Sequence, residues 1–207
     1  MNKRIYITLG TVFLAGMLSA QNVDFKAGNF KDKKEEFKAA TEAMKIADEK
    51  LEEANELTYS VRKPKNLYLS ALQGYQKAYD LNPNNAELNF KMGNALLYTH
   101  RKAEALDYLI KAEELDPKVD DFLNFYLGMG YQLKMDFGKA IRYYEQFETS
   151  TKSKQIEELG RMLKKRKKEC RYGKELIQDK KRVWVDNVEE LNTEFSEESP
   201  CISTDGG

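Results

Sequence analysis

The sequence predicts an all-α protein, a solenoid of stacked helix pairs that ends in a short extended tail. Three observations carry that expectation. Ala71, Ala105 and Ala140 are spaced 34 and 35 residues apart. Tyr75, Leu109 and Tyr144 keep the same spacing, as do Ala78, Ala112 and Phe147. Pro83 and Pro117 stand 34 apart, closing the phrases Asp-Leu-Asn-Pro and Glu-Leu-Asp-Pro. A period of this size marks a repeat architecture, because one helix pair cannot bury its apolar face alone and must stack on a neighbour.

The elements follow in chain order. Residues 1–20 carry Lys3 and Arg4, an uncharged apolar stretch and then Ser19-Ala20, the order of a secretory signal peptide cut after Ala20. The apolar stretch is short of the roughly 20 residues that a membrane-spanning helix needs. Residues 21–178 form the helical part, with helices expected over 31–57, 66–81, 86–98, 102–115, 121–133, 137–149 and 153–178. Pro64 interrupts the first pair, so the charged helix before it is read as an N-terminal cover. The Lys- and Arg-rich helix 153–178 is read as the C-terminal cover. Asn85 and Asp120 are expected caps, and Pro83 and Pro117 stop the helices before them because proline lacks an N–H. Gly93 and Gly128, 35 apart, are expected where paired helices approach closely. Residues 179–207 change character: Arg182-Val183-Trp184-Val185 is β-prone, and Asp205-Gly206-Gly207 is a turn. Trp184 is expected to dock the tail on the last helix.

Charge and chemistry narrow the function classes. The chain is 33% charged with a formal net charge of +0, which argues against a nucleic-acid binder. The charge is segregated: 152–182 carries a net of +8, and 183–207 a net of −7 with no basic residue. That pattern reads as a solvated helix followed by an acidic extension, with a basic strip for anionic partners as the sharper alternative. Cys170 and Cys201 are expected as free thiols. His100 is the only histidine, so no multi-histidine metal site and no Ser-His-Asp arrangement is available. No enzyme, cofactor, metal or small-molecule substrate is therefore expected.

The recurring small, aromatic and proline positions over about 66–149 match the tetratricopeptide pattern. A further resemblance covers more of the chain. Gly93, Leu127-Gly128, Tyr131, Phe137, Lys139-Ala140-Ile141, Cys170 and the run from Val183 to Gly206 resemble the N-terminal half of a periplasmic family. Its members join tetratricopeptide repeats to a WD40-like β-propeller and an OmpA-like domain. Leu191-Asn192-Thr193-Glu194-Phe195 and Glu198-Ser199-Pro200-Cys201-Ile202-Ser203-Thr204-Asp205-Gly206 are similar to the opening of that propeller's first blade. The resemblance implies a periplasmic protein peripheral to the outer membrane, a scaffold in an assembly of the kind that, in some relatives, serves type IX secretion. The propeller and the peptidoglycan-gripping domain do not follow Gly207, which leaves a truncated or split-gene product without independent function as the alternative.

Helical repeats of this kind bind peptides or helices in a groove lined by their first helices. The repeat alignment places Glu87, Phe90, Asn94, Leu97 and Tyr98 there, then Phe122, Phe125, Met129, Gln132 and Leu133. Phe90, Phe125 and Met129 stand where a carboxylate-binding subclass has cations, so an apolar, aromatic groove for a protein or peptide partner is expected. The competing expectation is that a terminal helix folds into the groove and covers these side chains.

Overall fold

A computed structural model describes residues 21–57, 64–150 and 153–178. The expected export signal (1–20) and the tail (179–207), with Trp184 and Cys201, lie outside the described residues. The chain divides into two units, Met1–Lys174 and Glu175–Gly207; of the second, only 175–178 is described.

The described residues form helices and turns, with no strand among them. In order these are α1 (Lys34–Leu57), α2 (Lys65–Leu81), α3 (Ala86–Leu97), α4 (Ala105–Leu115), α5 (Leu123–Leu133), α6 (Phe137–Ser150) and α7 (Ser153–Gln178). Short 3₁₀ turns occupy Ala27–Phe30 and Lys102–Glu104. The helices pack pairwise, α1 with α2, α3 with α4 and α5 with α6, while α2–α3 and α4–α5 contacts join successive pairs. The nine alanine, aromatic and leucine positions aligned by the repeat spacing are fully buried: Ala71, Tyr75, Ala78, Ala105, Leu109, Ala112, Ala140, Tyr144 and Phe147; the spaced Pro83 and Pro117 are exposed.

The glycines sit where a side chain of the paired helix fills the space a Cβ would take. A Cβ added at Gly93 would lie 2.6 Å from Leu109 Cγ, and one at Gly128 would lie 2.5 Å from the Tyr144 ring. The buried tyrosines keep their hydroxyls satisfied. Tyr75 donates to Asp48 Oδ1 at 2.8 Å. Tyr144 donates to Gln132 Oε1 at 2.8 Å, and Tyr68 to Asn55 Oδ1 at 3.1 Å. Burial, with Asp48 beside it, pushes the Tyr75 phenol far above its ordinary range.

The helix ends show which expectations the chain's chemistry modified. Asn85 caps α3 as expected, its side chain accepting from Leu88 N at 2.8 Å. Asp120 instead accepts from Phe122 N at 2.8 Å, a local turn, and α5 starts only at Leu123. The expected helix over 102–115 begins as a 3₁₀ turn and becomes α-helical at Ala105. Asn82 and Asp116, the residues before Pro83 and Pro117, leave the helical region at φ −140° and −155°. A following proline disfavours helical backbone there.

The segment ahead of α1 is tied to the start of α3. Val23 N donates to Asn84 O at 2.8 Å, and Val23 O accepts from the Asn82 and Asn85 side chains at 2.8 and 3.0 Å. Ala86 N donates to Asn22 Oδ1 at 3.0 Å. Phe25, Phe30 and Phe37 cluster with centroids 5.3–6.0 Å apart. At the other end, α7 buries Leu159, Leu163 and Cys170. A Lys167–Glu148 ion pair of 2.6 Å ties it to α6. Cys170 carries a free, buried thiol, pushed up to about 11 by burial and then by Glu169.

Candidate partner groove

Residues of α1, α3, α5 and α7 line an open cavity of about 640 Å³. It exists because α3 and α5 turn one residue stripe each away from their partners α4 and α6. On α3 that stripe is Phe90, Asn94 and Tyr98, spaced one turn apart along one face. On α5 it begins with Phe122, Phe125 and Tyr126. Leu51, Asn55 and Glu56 of α1 form one wall, and Leu159, Met162 and Arg166 of α7 another. Lys91 and Asp120 complete the lining. The walls are chiefly aromatic and apolar, with a few polar groups set among them, the usual composition of a ligand-binding hollow.

Five of the residues assigned to the groove from sequence line this cavity: Phe90, Asn94, Tyr98, Phe122 and Phe125. Four others do not. Leu97 is buried in the core and absent from the lining. Met129 is buried as well. Gln132 accepts from Tyr144 and donates to Glu169 Oε2 of α7 at 3.1 Å. Leu133, in the last turn of α5, is 41% exposed outside the lining. Glu87 sits beside the cavity through its ion pair to Lys91 at 2.7 Å.

The cover expected from a terminal helix reaches only one end of the predicted groove. The α7 helix reaches the C-terminal half of α5, through Gln132 and Glu169. The N-terminal half of α5, with Phe122 and Phe125, still faces the cavity. The sequence reading missed the α1 and α7 residues of the walls. Their signal was present as apolar residues at helical spacing, Leu159 and Met162 on α7 among them, but both helices were treated only as covers.

Electrostatically the cavity is divided. The Lys91 ammonium lies between Asp48 at 2.9 Å and Glu87 at 2.7 Å. Burial alone would lower its pKa, but hydrogen bonds to Glu87 and Asp48 outweigh that and hold it above the ordinary lysine range. The Asp120 carboxyl is raised, chiefly by desolvation, with the Phe122 N–H opposing and Asp121 and Glu87 adding to the rise. Asn94 is 4% exposed, and its Oδ1 has no hydrogen-bond partner. Arg166 Nε is likewise buried without a partner. Among the described residues no group of three or more His, Cys, Asp or Glu could hold a metal ion. A second hollow of about 420 Å³ lies elsewhere, between α2, α3 and Tyr108 of α4, lined by Leu69, Met92 and Arg101 among others. Its arginine is already committed to Glu104 at 2.7 Å.

No family model matches the chain, and no curated protein matches it in sequence. No helix among the described residues is long and apolar enough to cross a membrane.

Proposed function

We propose that this chain is an exported tetratricopeptide-type solenoid that acts as a binding scaffold, holding a segment of a protein partner in the cavity between α1, α3, α5 and α7. The observation that carries this reading is the pair of unpartnered buried groups on the lining, Asn94 Oδ1 and Arg166 Nε, set among aromatic walls. A buried polar atom left without a partner costs on the order of 1–3 kcal/mol, so a site that keeps two of them is built for something that arrives later. The pairwise packing and the burial of the repeat-aligned alanine, aromatic and leucine positions support the repeat architecture.

The setting rests on the sequence. The basic, apolar and small segments of residues 1–20 support export to the periplasm, and the resemblance over Val183 to Gly206 supports a place in an outer-membrane-associated assembly, of secretion type in some relatives. The work of the chain in this reading is recognition, with no chemical step, cofactor, nucleic acid or small-molecule substrate. Fractionation tests it: the mature chain starts at Gln21 by N-terminal sequencing and travels with the outer-membrane fraction. Asn94→Trp fills the cavity and releases the chain into the soluble periplasm. Equal retention of the folded Asn94→Trp protein would exclude the groove as the point of attachment.

A further inference from the structure

We infer that the occupant of the groove is an extended partner segment carrying a lysine or arginine side chain beside an apolar one; this rests on the binding function proposed above and specifies its ligand. The first argument concerns the backbone. Two fully buried polar atoms of the lining have no hydrogen-bond partner, the acceptor Asn94 Oδ1 on α3 and the donor Arg166 Nε on α7. Asn94 is more than nine-tenths buried, at 4% exposure, so water reaches it poorly. An extended polypeptide presents N–H and C=O groups in alternation and satisfies both. Exchanging the amide's O and N leaves the argument standing, because a peptide group supplies either complement.

The second argument concerns charge. Lys91 is already held by two carboxylates, Asp48 and Glu87. Two further carboxylates on the lining, Glu56 and Asp120, make no ion pair among the described residues. Against these four carboxylates stand two cations, Lys91 and Arg166. An acidic segment drawn to Arg166 would enter a site already rich in negative charge. A basic side chain meets two uncommitted carboxylates instead.

The third argument is aromatic. Phe90 and Phe122 flank Tyr126 with centroids 5.7 and 6.3 Å away. Asp120 precedes this cluster, with Oδ1 spent on the Phe122 N–H at 2.8 Å and Oδ2 open. Ring faces beside a carboxylate favour an ammonium or guanidinium group over a neutral one. The neighbouring apolar side chain of the occupant finds Leu51, Phe125 and Leu159.

A random octapeptide display library panned against the full chain tests this, followed by fluorescence anisotropy with the enriched peptides. Enriched sequences are expected to pair Lys or Arg with an aromatic or aliphatic neighbour. Changing that Lys or Arg to Ser should weaken binding about tenfold. The Glu56→Gln/Asp120→Asn variant should lose this preference while still binding the Ser peptide; asparagine keeps the acceptor for Phe122 N, so the variant folds. Enrichment of acidic peptides, or of apolar peptides with no charge preference, overturns the inference and leaves the groove as a binding site. No enrichment over an Asn94→Trp control overturns the binding function itself.

Discussion

Gly128→Ala separates a tightly packed repeat from an ordinary helix by the sign of a single stability change. An alanine Cβ at this position would stand 2.5–3.0 Å from three atoms of the Tyr144 ring, where ordinary contact begins near 3.4 Å. The ring cannot swing aside, because Tyr144 is fully buried and its hydroxyl is bound to Gln132. The helices α5 and α6 must therefore part by roughly 1 Å, and overpacking of that kind costs ~1–3 kcal/mol. Replacing glycine by alanine in a helix interior returns about 1 kcal/mol. The net expectation is a loss of up to about 2 kcal/mol, a fall in Tm of up to roughly 8 °C for a chain of this size. Gly160 provides the control: a Cβ there meets nothing within 4 Å, so Gly160→Ala should raise Tm. Thermal melts followed by circular dichroism read both variants. If Gly128→Ala stabilises as Gly160→Ala does, the close approach of α5 and α6 does not exist and the repeat register is wrong.

Met135 closes α5 with φ 60° while 64% exposed, and Asp136 N donates to Tyr131 O at 3.0 Å, the arrangement that glycine usually provides. Met135→Gly should raise stability by about 1 kcal/mol in urea titration. Asn85→Ala removes the acceptor for Leu88 N and a donor to Val23 O, and should cost about 1–2 kcal/mol by the same assay. The Cys170 thiol is raised to about 11, so the fold favours its protonated form. That contribution is complete below the unfolded thiol's pKa of about 8.5 and is lost as pH rises toward 11. Comparing wild type with Cys170→Ala across pH 8 to 11 should show the extra decline only in wild type, and a disulfide-exchange reagent should label Cys170 slowly until urea is added.

The repeat positions were legible because each does one packing task at one distance along the chain. Ala105 must be small beside Gly93, whose missing Cβ leaves room for Leu109, and the same relation returns one repeat later at Ala140, Gly128 and Tyr144. The segment 21–30 was not legible. It is held by asparagine side chains and backbone groups, through Asn22, Asn82 and Asn85, and such bonds leave no periodic trace. The groove was legible on α3 and on the first turn of α5, where the aligned stripe faces the cavity. Farther along α5 the alignment misled, because it carries no information about where a non-repeating helix will lie. The bond from Gln132 to Glu169 shows α7 occupying that end. The same gap hid Leu51 and Arg166, which enter the lining from helices outside the repeat pattern.

Site-specific photo-crosslinking in the cells that make this protein tests the central claim most directly. A benzoylphenylalanine at Tyr126, on the cavity lining, is compared with one at Lys77, an exposed position of α2 outside it. The account predicts a discrete protein adduct from position 126 that is absent from position 77 and disappears when Asn94→Trp fills the cavity. Adducts of equal yield from both positions, or an adduct at 126 that survives Asn94→Trp in the folded protein, would contradict it.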